Sequence, residues 1–248
     1  MIVRTEAVVL RSMRYRETSL IVTLFTHEQG RVSVLAKGAR LTRSRFGATL
    51  QPMAHIEVLY AHKSTRTLHT LRESAHLTLH PHLRQDLGRT ALGYRMIELV
   101  AALMPQEAPN APVFELLKGS LTVLDQAEGV VTALLPYFQL RLATLLGFGP
   151  AIERDVVAQV TEAGGVLVLD TGAVVPLEQA TSPSVRSDRS TLRAFAICAR
   201  ADLDVVLRTQ MDVDVQRRLV DLVDAYLRYH LEESYPTRSQ PVLRRLVE

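Results

Sequence analysis

The sequence has a single cysteine, no tryptophan and only 5% aromatic residues. Because Cys198 has no partner in the chain, an internal disulfide and a cysteine-rich zinc site are both excluded, and a reducing, cytoplasmic compartment is expected. The longest segment without a charged residue, Gly129–Leu140, has twelve residues, whereas a membrane-spanning helix needs about 20. No apolar stretch follows the charged start of the chain, so no secretory signal is expected.

The sequence motifs of common enzyme classes are also missing. There is no Gly-x-Ser-x-Gly elbow, no phosphate-binding Gly-x-x-x-x-Gly-Lys loop and no His-Glu-x-x-His zinc motif. Four aspartates form two closely spaced pairs that would suit a divalent cation, but a solvated acidic face is the more common arrangement: Asp202, Asp204, Asp212 and Asp214. We therefore expect a protein that is not an enzyme, with no catalytic residues, no bound metal and no other cofactor.

Acidic residues are absent between Glu28 and Glu57, a segment that contains five basic residues. The first 80 residues hold 12 Lys/Arg against 5 Asp/Glu, a balance of +7, and the rest of the chain holds 17 against 21, a balance of −4. A basic block ahead of a mildly acidic body is typical of a polyanion-binding module attached to another domain. A solvated basic face is the alternative, but the long stretch without acids favours nucleic acid. Aromatic residues are sparse in this block, so we expect contacts mainly to phosphate: Tyr15, Phe25, Phe46 and Tyr60.

Hydrophobic periodicity predicts strands in the first 80 residues and mostly helices afterwards. The predicted strands are 5–10, 20–26, 31–36, 54–61 and 67–72, and five short strands in about 75 residues suit a small barrel. Helical spacing begins at Leu83 and predicts helices over 83–104, 114–128, 135–145, 192–199 and 213–231. Pro136 must lie in an opening turn, and Gly147 is placed to end its helix. Apolar runs at 156–160 and 166–169, joined by Gly164-Gly165, predict a small hairpin.

Several segments of the first 75 residues form a recognisable series when taken in order. They are Glu6-Ala-Val-Val-Leu10-Arg-Ser, Arg16-Glu17-Thr18-Ser19, Leu24-Phe25-Thr26, Gly30-Arg31, Ala36-Lys37-Gly38-Ala39-Arg40, Ser44-Arg45-Phe46 and Leu50-Gln51-Pro52. Together they resemble the amino-terminal domain of the RecO family. A looser match runs from Phe138 to Pro150 and includes Leu146-Gly147-Phe148. RecO proteins are bacterial mediators of DNA repair and recombination.

The resemblance implies an α+β protein: an amino-terminal OB-fold β-barrel followed by a helical domain with an inserted zinc-ribbon-like hairpin. The expected domains are residues 1–80 for the DNA-binding OB-fold, 81–150 and 183–248 for the helical domain, and 151–182 for the hairpin. The resemblance also implies binding of single- and double-stranded DNA and annealing of complementary strands. With RecR, such proteins help to load recombinase onto strands coated by single-strand-binding protein. A cytoplasmic, nucleoid-associated location in a bacterium follows, with no membrane partner.

The DNA-binding surface is expected on the loop after the third strand and on the barrel beside it. The candidate DNA-binding residues are Arg14, Arg16, Arg31, Lys37, Arg40, Arg43 and Arg45. The family also receives the acidic tail of single-strand-binding protein on its helical domain, near the helix that ends in Leu-Gly-Phe. The candidate partner-binding residues there are Phe138 and Arg141, although the spacing of Phe138 is equally that of an ordinary core residue.

The hairpin departs from the family pattern. Many RecO proteins carry two Cys-x-x-Cys pairs there, whereas this chain has Asp155-Val156-Val157-Ala158 and Val168-Leu169-Asp170-Thr171. Since zinc requires thiolate or imidazole ligands, the hairpin is expected to lack zinc and to persist on apolar packing. His76 and His80 would share one face of a helix, but Pro81 disturbs that geometry and a loop containing histidines is favoured.

Two other functions remain open at this point. One is a protein-binding adaptor whose basic face grips acidic tails, and the other is an RNA-binding OB protein. Salt dependence distinguishes phosphate binding from the adaptor, because binding to duplex DNA falls with a slope of about 0.9 per neutralised phosphate. Tighter binding to RNA than to single-stranded DNA would favour the RNA-binding alternative.

Overall fold

The computed structural model describes residues 1–128, 131–153, 160–237 and 239. Five strands form a closed barrel in the order β1-β2-β3-β5-β4: β1 Ile2–Tyr15, β2 Ser19–Thr26, β3 Gly30–Ala36, β4 His55–Ala61 and β5 Leu68–Thr78. Neighbouring strands are antiparallel except β3 and β5, which run parallel. This closed five-stranded barrel confirms the small barrel predicted from the strand pattern and the OB-like architecture that the resemblance implies.

The barrel encloses an apolar core, and β3 shows most clearly how alternation along a strand builds it. In β3 every second residue is buried, so Val32, Val34 and Ala36 face inward while Arg31, Ser33 and Leu35 face outward. Phe46 and Leu50, from the segment between β3 and β4, join the same core at 1% and 3% exposure. Burial of each large apolar side chain contributes about 1.5–3 kcal/mol, so the two anchors fix a segment that has no strand or helix of its own.

Two helices belong to the same compact unit as the barrel, which contains Met1–Gln126. Helix α1 spans Leu87–Leu103 and begins at Asp86, whose carboxylate accepts a hydrogen bond from the Arg89 backbone N–H. Helix α2 spans Ala111–Gln126, and its buried Phe114 ring lies 6.0 Å from the Phe25 ring of β2. The helices therefore cover one side of the barrel rather than forming a separate body.

The second compact unit comprises the described residues of Ala127–Thr237. Its helices are α3 Leu134–Leu145, α4 Arg189–Arg200, α5 Leu203–Arg208 and α6 Val213–Leu231. Its sheet has the order β7-β6-β8, with β6 at Gly165–Val168, β7 at Val174–Pro176 and β8 at Ser184–Ser187. The Phe195 and Tyr226 rings meet edge to face between α4 and α6, with centroids 6.1 Å apart.

The structure agrees with the sequence most closely where periodicity is strong. The bounds of α6 match the prediction, Pro136 lies in the opening turn of α3, and Gly147 follows that helix with a φ of +91°. The short helix α5 was not predicted, and β1 and β5 are longer than expected. The predicted strand at 166–169 is confirmed as β6, but its described partners are β7 and β8. Most of the predicted strand at 156–160 lies outside the described residues. The segment Asp155–Ala158, where many RecO proteins carry their first Cys-x-x-Cys pair, lies outside them as well.

No helix in the described part of the chain is both long and apolar enough to cross a membrane. Three single 3₁₀ turns complete the described secondary structure, at His82–Arg84, Leu177–Gln179 and Glu232–Ser234.

Gly30 offers a test of how the helices are joined to the barrel. It has a φ of +67°, and a Cβ atom there would lie 2.1 Å from the carbonyl oxygen of Ala108 in the loop between α1 and α2. Gly47 has a similar φ of +51° but no atom within 4 Å of its hypothetical Cβ. Gly47→Ala should cost only the backbone strain, about 1–2 kcal/mol. Gly30→Ala adds a backbone clash and should destabilise the protein by a further ~1–3 kcal/mol in urea unfolding. Equal losses would mean that the loop does not rest on Gly30.

Candidate nucleic-acid interface

The segment between β3 and β4 presents the cations that the sequence singled out. Its buried anchors Phe46 and Leu50 hold it against the barrel, while Lys37, Arg40 and Arg43 are exposed. Short turns order the start of the segment, since the N–H of Leu41 donates to the Gly38 carbonyl at 3.1 Å. The cations thus project from a loop whose backbone is fixed by its own core residues.

Arg40 ties this loop to the turn between β1 and β2. Its backbone N–H donates to the carbonyl of Thr18 at 2.9 Å. Its Nη1 donates to the carbonyls of Arg16 at 3.2 Å and Glu17 at 2.7 Å. Part of the Arg40 guanidinium therefore stabilises the β1–β2 turn through hydrogen bonds. These bonds join the loop and the turn into one continuous surface.

Two further cations lie at the same end of the barrel. Arg14 of β1 pairs with Leu20 of β2, and Leu20 pairs with Ala36 of β3, which places Arg14 in a cross-strand row that ends beside Lys37. Arg16 occupies the turn with a φ of +52°, and its Cζ lies 5.4 Å from the centre of the Tyr15 ring. We call this surface the basic end of the barrel; it comprises Arg14, Arg16, Lys37, Arg40 and Arg43.

The structure does not bring the remaining two candidates into this surface. Arg31 lies at the opposite end of β3 from Lys37, six residues or about 20 Å along the strand. Its Nε donates to the Met104 carbonyl at 2.8 Å, so this side chain joins the barrel to the end of α1. Arg45 lies over the Phe46 ring and lines a shallow depression with Arg4, Glu57 and Glu73 on the outer side of β4 and β5. The expectation that Arg31 lies near the loop is wrong, because the length of β3 separates Arg31 from Lys37.

The basic end carries five cations and one exposed acid, Glu17 of the β1–β2 turn. Among the described residues, none of its five side chains forms an ion pair with a carboxylate. Aromatic residues are largely unavailable there, because Phe25, Phe46 and Tyr60 are buried and Tyr15 is half-buried. Such a surface can neutralise phosphates but has little with which to stack bases.

Sequence reasoning missed the cations of the loop between β4 and β5. Lys63 and Arg66 are exposed there, at the end of the barrel that also holds Arg31. Loops in this position and the β1–β2 loop are the usual oligonucleotide contacts of OB-folds. The predicted strands 54–61 and 67–72 already implied this loop and its basic residues, but not the end of the barrel at which the loop lies.

The two partner-binding candidates are placed differently from each other in α3. Phe138 has 0% exposure, so its side chain belongs to the core and cannot contact a partner in this structure. Arg141 is half-buried, and its Nη2 donates to the carbonyl of Ala201 at 3.0 Å, just beyond α4. Its guanidinium also lies 5.4 Å from the centre of the Tyr137 ring. Arg141 therefore holds the end of α4 rather than pointing freely into solvent.

A shallow depression beside that contact combines apolar and basic side chains. Ile152, Ala196 and Ile197 supply its apolar surface, and Arg193 and Arg200 project from the same stretch of α4. Glu153 also lines this depression, and its negative charge would repel an acidic ligand. The features that the sequence assigned to Phe138 and Arg141 thus occur on the neighbouring helix.

The minor candidates behave as ordinary structural groups. Cys198 is fully buried, and burial raises the pKa of its thiol to about 12, so it is not a reactive nucleophile. His76 lies in strand β5 and His80 lies beyond the end of that strand, so they do not share a helix face. Asp204 pairs with Arg208, and Asp214 lies 3.7 Å from Arg217, as expected of acids in the first turns of α5 and α6.

The structural role of Arg40 can be separated from that of Lys37. Arg40→Ala removes side-chain hydrogen bonds to two carbonyls of the β1–β2 turn and should lower the free energy of unfolding by about 1 kcal/mol. Lys37→Ala removes an exposed cation and should leave the urea midpoint unchanged. Equal midpoints for the two variants would show that the Arg40 bonds do not stabilise the turn.

Comparison with known proteins relates both the barrel and the helical region to one protein family. The family model described as Recombination protein O N terminal matches residues 1–79, and the model Recombination protein O C terminal matches residues 84–239. A DNA repair protein RecO from Salinibacter ruber is 48% identical over 245 residues, which cover 99% of this chain and 94% of the relative. RecO from Prosthecochloris aestuarii is 25% identical over 99% of this chain and 98% of its own length. RecO from Geobacter metallireducens is 39% identical over 61% of each chain.

These matches run through both the barrel and the helical region, and the closed barrel is the fold expected of the amino-terminal part. The chain belongs to the RecO family of DNA repair proteins.

Proposed function

We propose that this chain binds single- and double-stranded DNA through the basic end of its barrel and anneals complementary strands. With RecR, it helps to load recombinase onto strands coated by single-strand-binding protein, as a non-catalytic mediator in the bacterial cytoplasm and nucleoid. The observation that supports this proposal best is a set of exposed cations, held on an ordered loop and turn, without carboxylate partners among the described residues. Membership of the RecO family supports a role in recombinational repair.

The chemistry of this surface suits binding without sequence preference. Cations that contact phosphates release counterions from DNA and give affinity that does not depend on the base sequence. Annealing requires two like-charged strands to approach each other, and neutralised phosphates lower that repulsion. Neither step uses a nucleotide, which agrees with the lack of a phosphate-binding loop in the sequence.

Lys37 and Arg43 provide the sharpest test because both are exposed and neither supports the fold. Lys37→Gln/Arg43→Gln should weaken binding to single strands and duplexes alike. If each contacts one phosphate, the slope of log K against log salt should fall by about 1.4 for single strands and 1.8 for duplexes. The matched control is Arg84→Gln/Arg186→Gln, which removes two exposed cations elsewhere. Fluorescence titration of labelled oligonucleotides across salt measures both variants.

A folded Lys37→Gln/Arg43→Gln variant that keeps the affinity and salt slope of the wild type would contradict the proposed DNA surface. An equal loss in the control would mean that net charge, rather than this surface, governs binding. RNA bound at least about tenfold more tightly than single-stranded DNA would favour the RNA-binding alternative, since that difference corresponds to about 1.4 kcal/mol.

The depression beside α4 is the proposed docking site for the acidic tail of single-strand-binding protein. A short peptide that ends in an apolar residue and a carboxylate fits an apolar surface with nearby guanidinium groups. In this arrangement Arg193 and Arg200 contact the tail, while Arg141 positions the end of α4 through its bond to the Ala201 carbonyl.

Arg193→Glu should weaken binding of a labelled tail peptide by about tenfold or more, because a charge-assisted hydrogen bond contributes about 1.5–3 kcal/mol. DNA affinity should stay unchanged in this variant. Arg186→Glu, on the exposed side of β8, is the control with the same change of charge. If tail binding is lost instead in Lys37→Gln/Arg43→Gln, the tail competes with DNA for the barrel and the site beside α4 is wrong.

A further inference from the structure

Two histidines and a glutamate meet at the end of the barrel opposite the basic end. His62 follows β4 and His69 lies in β5, so they flank the β4–β5 loop, while Glu107 comes from the loop between α1 and α2. The Nε2 atoms of His69 and His62 lie 2.9 Å and 3.5 Å from the same carboxylate oxygen, Oε1 of Glu107. We call these three residues the His–Glu cluster.

The spacing of the three donor atoms matches the coordination shell of a transition metal. Zinc binds imidazole nitrogen and carboxylate oxygen at about 2.0–2.2 Å, so donors in a tetrahedral site are roughly 3.3–3.6 Å apart. The donor atoms of the His–Glu cluster all lie within 4.8 Å of one another, and two of their separations are 2.9 Å and 3.5 Å. Small side-chain adjustments would bring all three to one ion.

The cluster is held in place by the surrounding backbone. His62 exchanges two hydrogen bonds with Met1: its N–H donates to the Met1 carbonyl, and its carbonyl accepts from the Met1 amino group. The side chain of His69 is fully buried, with the Tyr60 ring stacked 5.6 Å away. Glu107 is fixed by its N–H, which donates to the Arg31 carbonyl at 3.0 Å. This preparation matters because ordering the ligands is part of the cost of binding a metal.

We propose that His62, His69 and Glu107 bind one divalent transition-metal ion, with water completing the shell. Two imidazoles and one carboxylate suit Zn²⁺ and its neighbours in the first row, whereas Mg²⁺ and Ca²⁺ prefer all-oxygen shells. The Glu107 side chain is 43% exposed and leaves the ion a path from solvent. The ion would join both ends of the β4–β5 loop to the α1–α2 loop, inside one compact unit. This departs from the sequence-based expectation that the chain binds no metal.

Binding of the metal changes which ring nitrogen of His69 carries the proton, with no net release of a proton. The Nδ1 atom of His69 accepts a long hydrogen bond, 3.4 Å, from the Lys63 N–H, so its Nε2 carries the proton and donates to Glu107. The metal takes the place of that proton at Nε2, the ring proton moves to Nδ1, and the weak bond to Lys63 is lost. The carboxylate then accepts from no imidazole and binds the ion directly.

The test is calorimetric titration of the full-length chain, first dialysed against EDTA, with ZnCl₂. One ion should bind per chain, raise the melting temperature and resist competition by excess Mg²⁺. Removal of supporting groups around metals costs about 10–100-fold in affinity, so loss of a ligand in His62→Gln or Glu107→Gln should cost at least that much. Both side chains are partly exposed, and circular dichroism checks that each variant keeps the fold.

His27→Gln is the matched control. His27 lies 3.5 Å from Glu28 and 4.0 Å from Glu115 but has no second imidazole, so its loss should leave zinc binding unchanged. Failure of the wild-type chain to bind zinc saturably would overturn the proposal. So would one-to-one binding that persists undiminished in both His62→Gln and Glu107→Gln, since the ion would then lie elsewhere. Displacement by Mg²⁺ would overturn the assignment to a transition metal.

Discussion

The close approach of the α1–α2 loop to the start of β3 is the constraint on which much of the first unit depends. It requires a residue without a side chain at Gly30, because the Ala108 carbonyl occupies the place of a Cβ. The same approach uses Arg31 as a bond to the Met104 carbonyl and holds Glu107 beside two histidines. One backbone contact thus fixes the helices on the barrel, removes one cation from the candidate DNA surface and assembles the His–Glu cluster.

The basic end of the barrel depends on a different principle, in which buried residues order an irregular loop. The segment from Lys37 to Ala54 has neither strand nor helix, and long loops of this kind lose conformational entropy on folding. Phe46 and Leu50 offset this by entering the barrel core, and Arg40 adds bonds to the β1–β2 turn. The cations therefore project from a backbone that is already ordered, which would lower the entropic cost of the proposed contacts with phosphates.

The sequence was sufficient where the physical signal is local. Alternation along β3 and the apolar stripe of α6 predicted those elements within one residue, and the charge imbalance marked the basic segment. It was insufficient where tertiary packing decides the outcome, since His62 and Glu107 are far apart in sequence and share a cluster. Arg31 is a different case, because the predicted strand 31–36 already places Arg31 and Lys37 at opposite ends and the expectation did not take its length into account. Similarly, the spacing of Phe138 fitted both a core and a groove, and only packing decided for the core.

The scarcity of aromatic residues links the interior of this protein to its manner of binding. Tryptophan is absent, and most of the few Phe and Tyr side chains are buried in the core. Phe25 packs against Phe114, and Phe195 packs against Tyr226. The exposed tyrosines, Tyr94 and Tyr229, lie on helices rather than on the barrel. With only the half-buried Tyr15 beside the basic end, charge is the principal means by which the proposed surface would hold DNA. Charge reads the phosphate backbone, which is the same at every sequence, and a repair mediator must act wherever damage occurs.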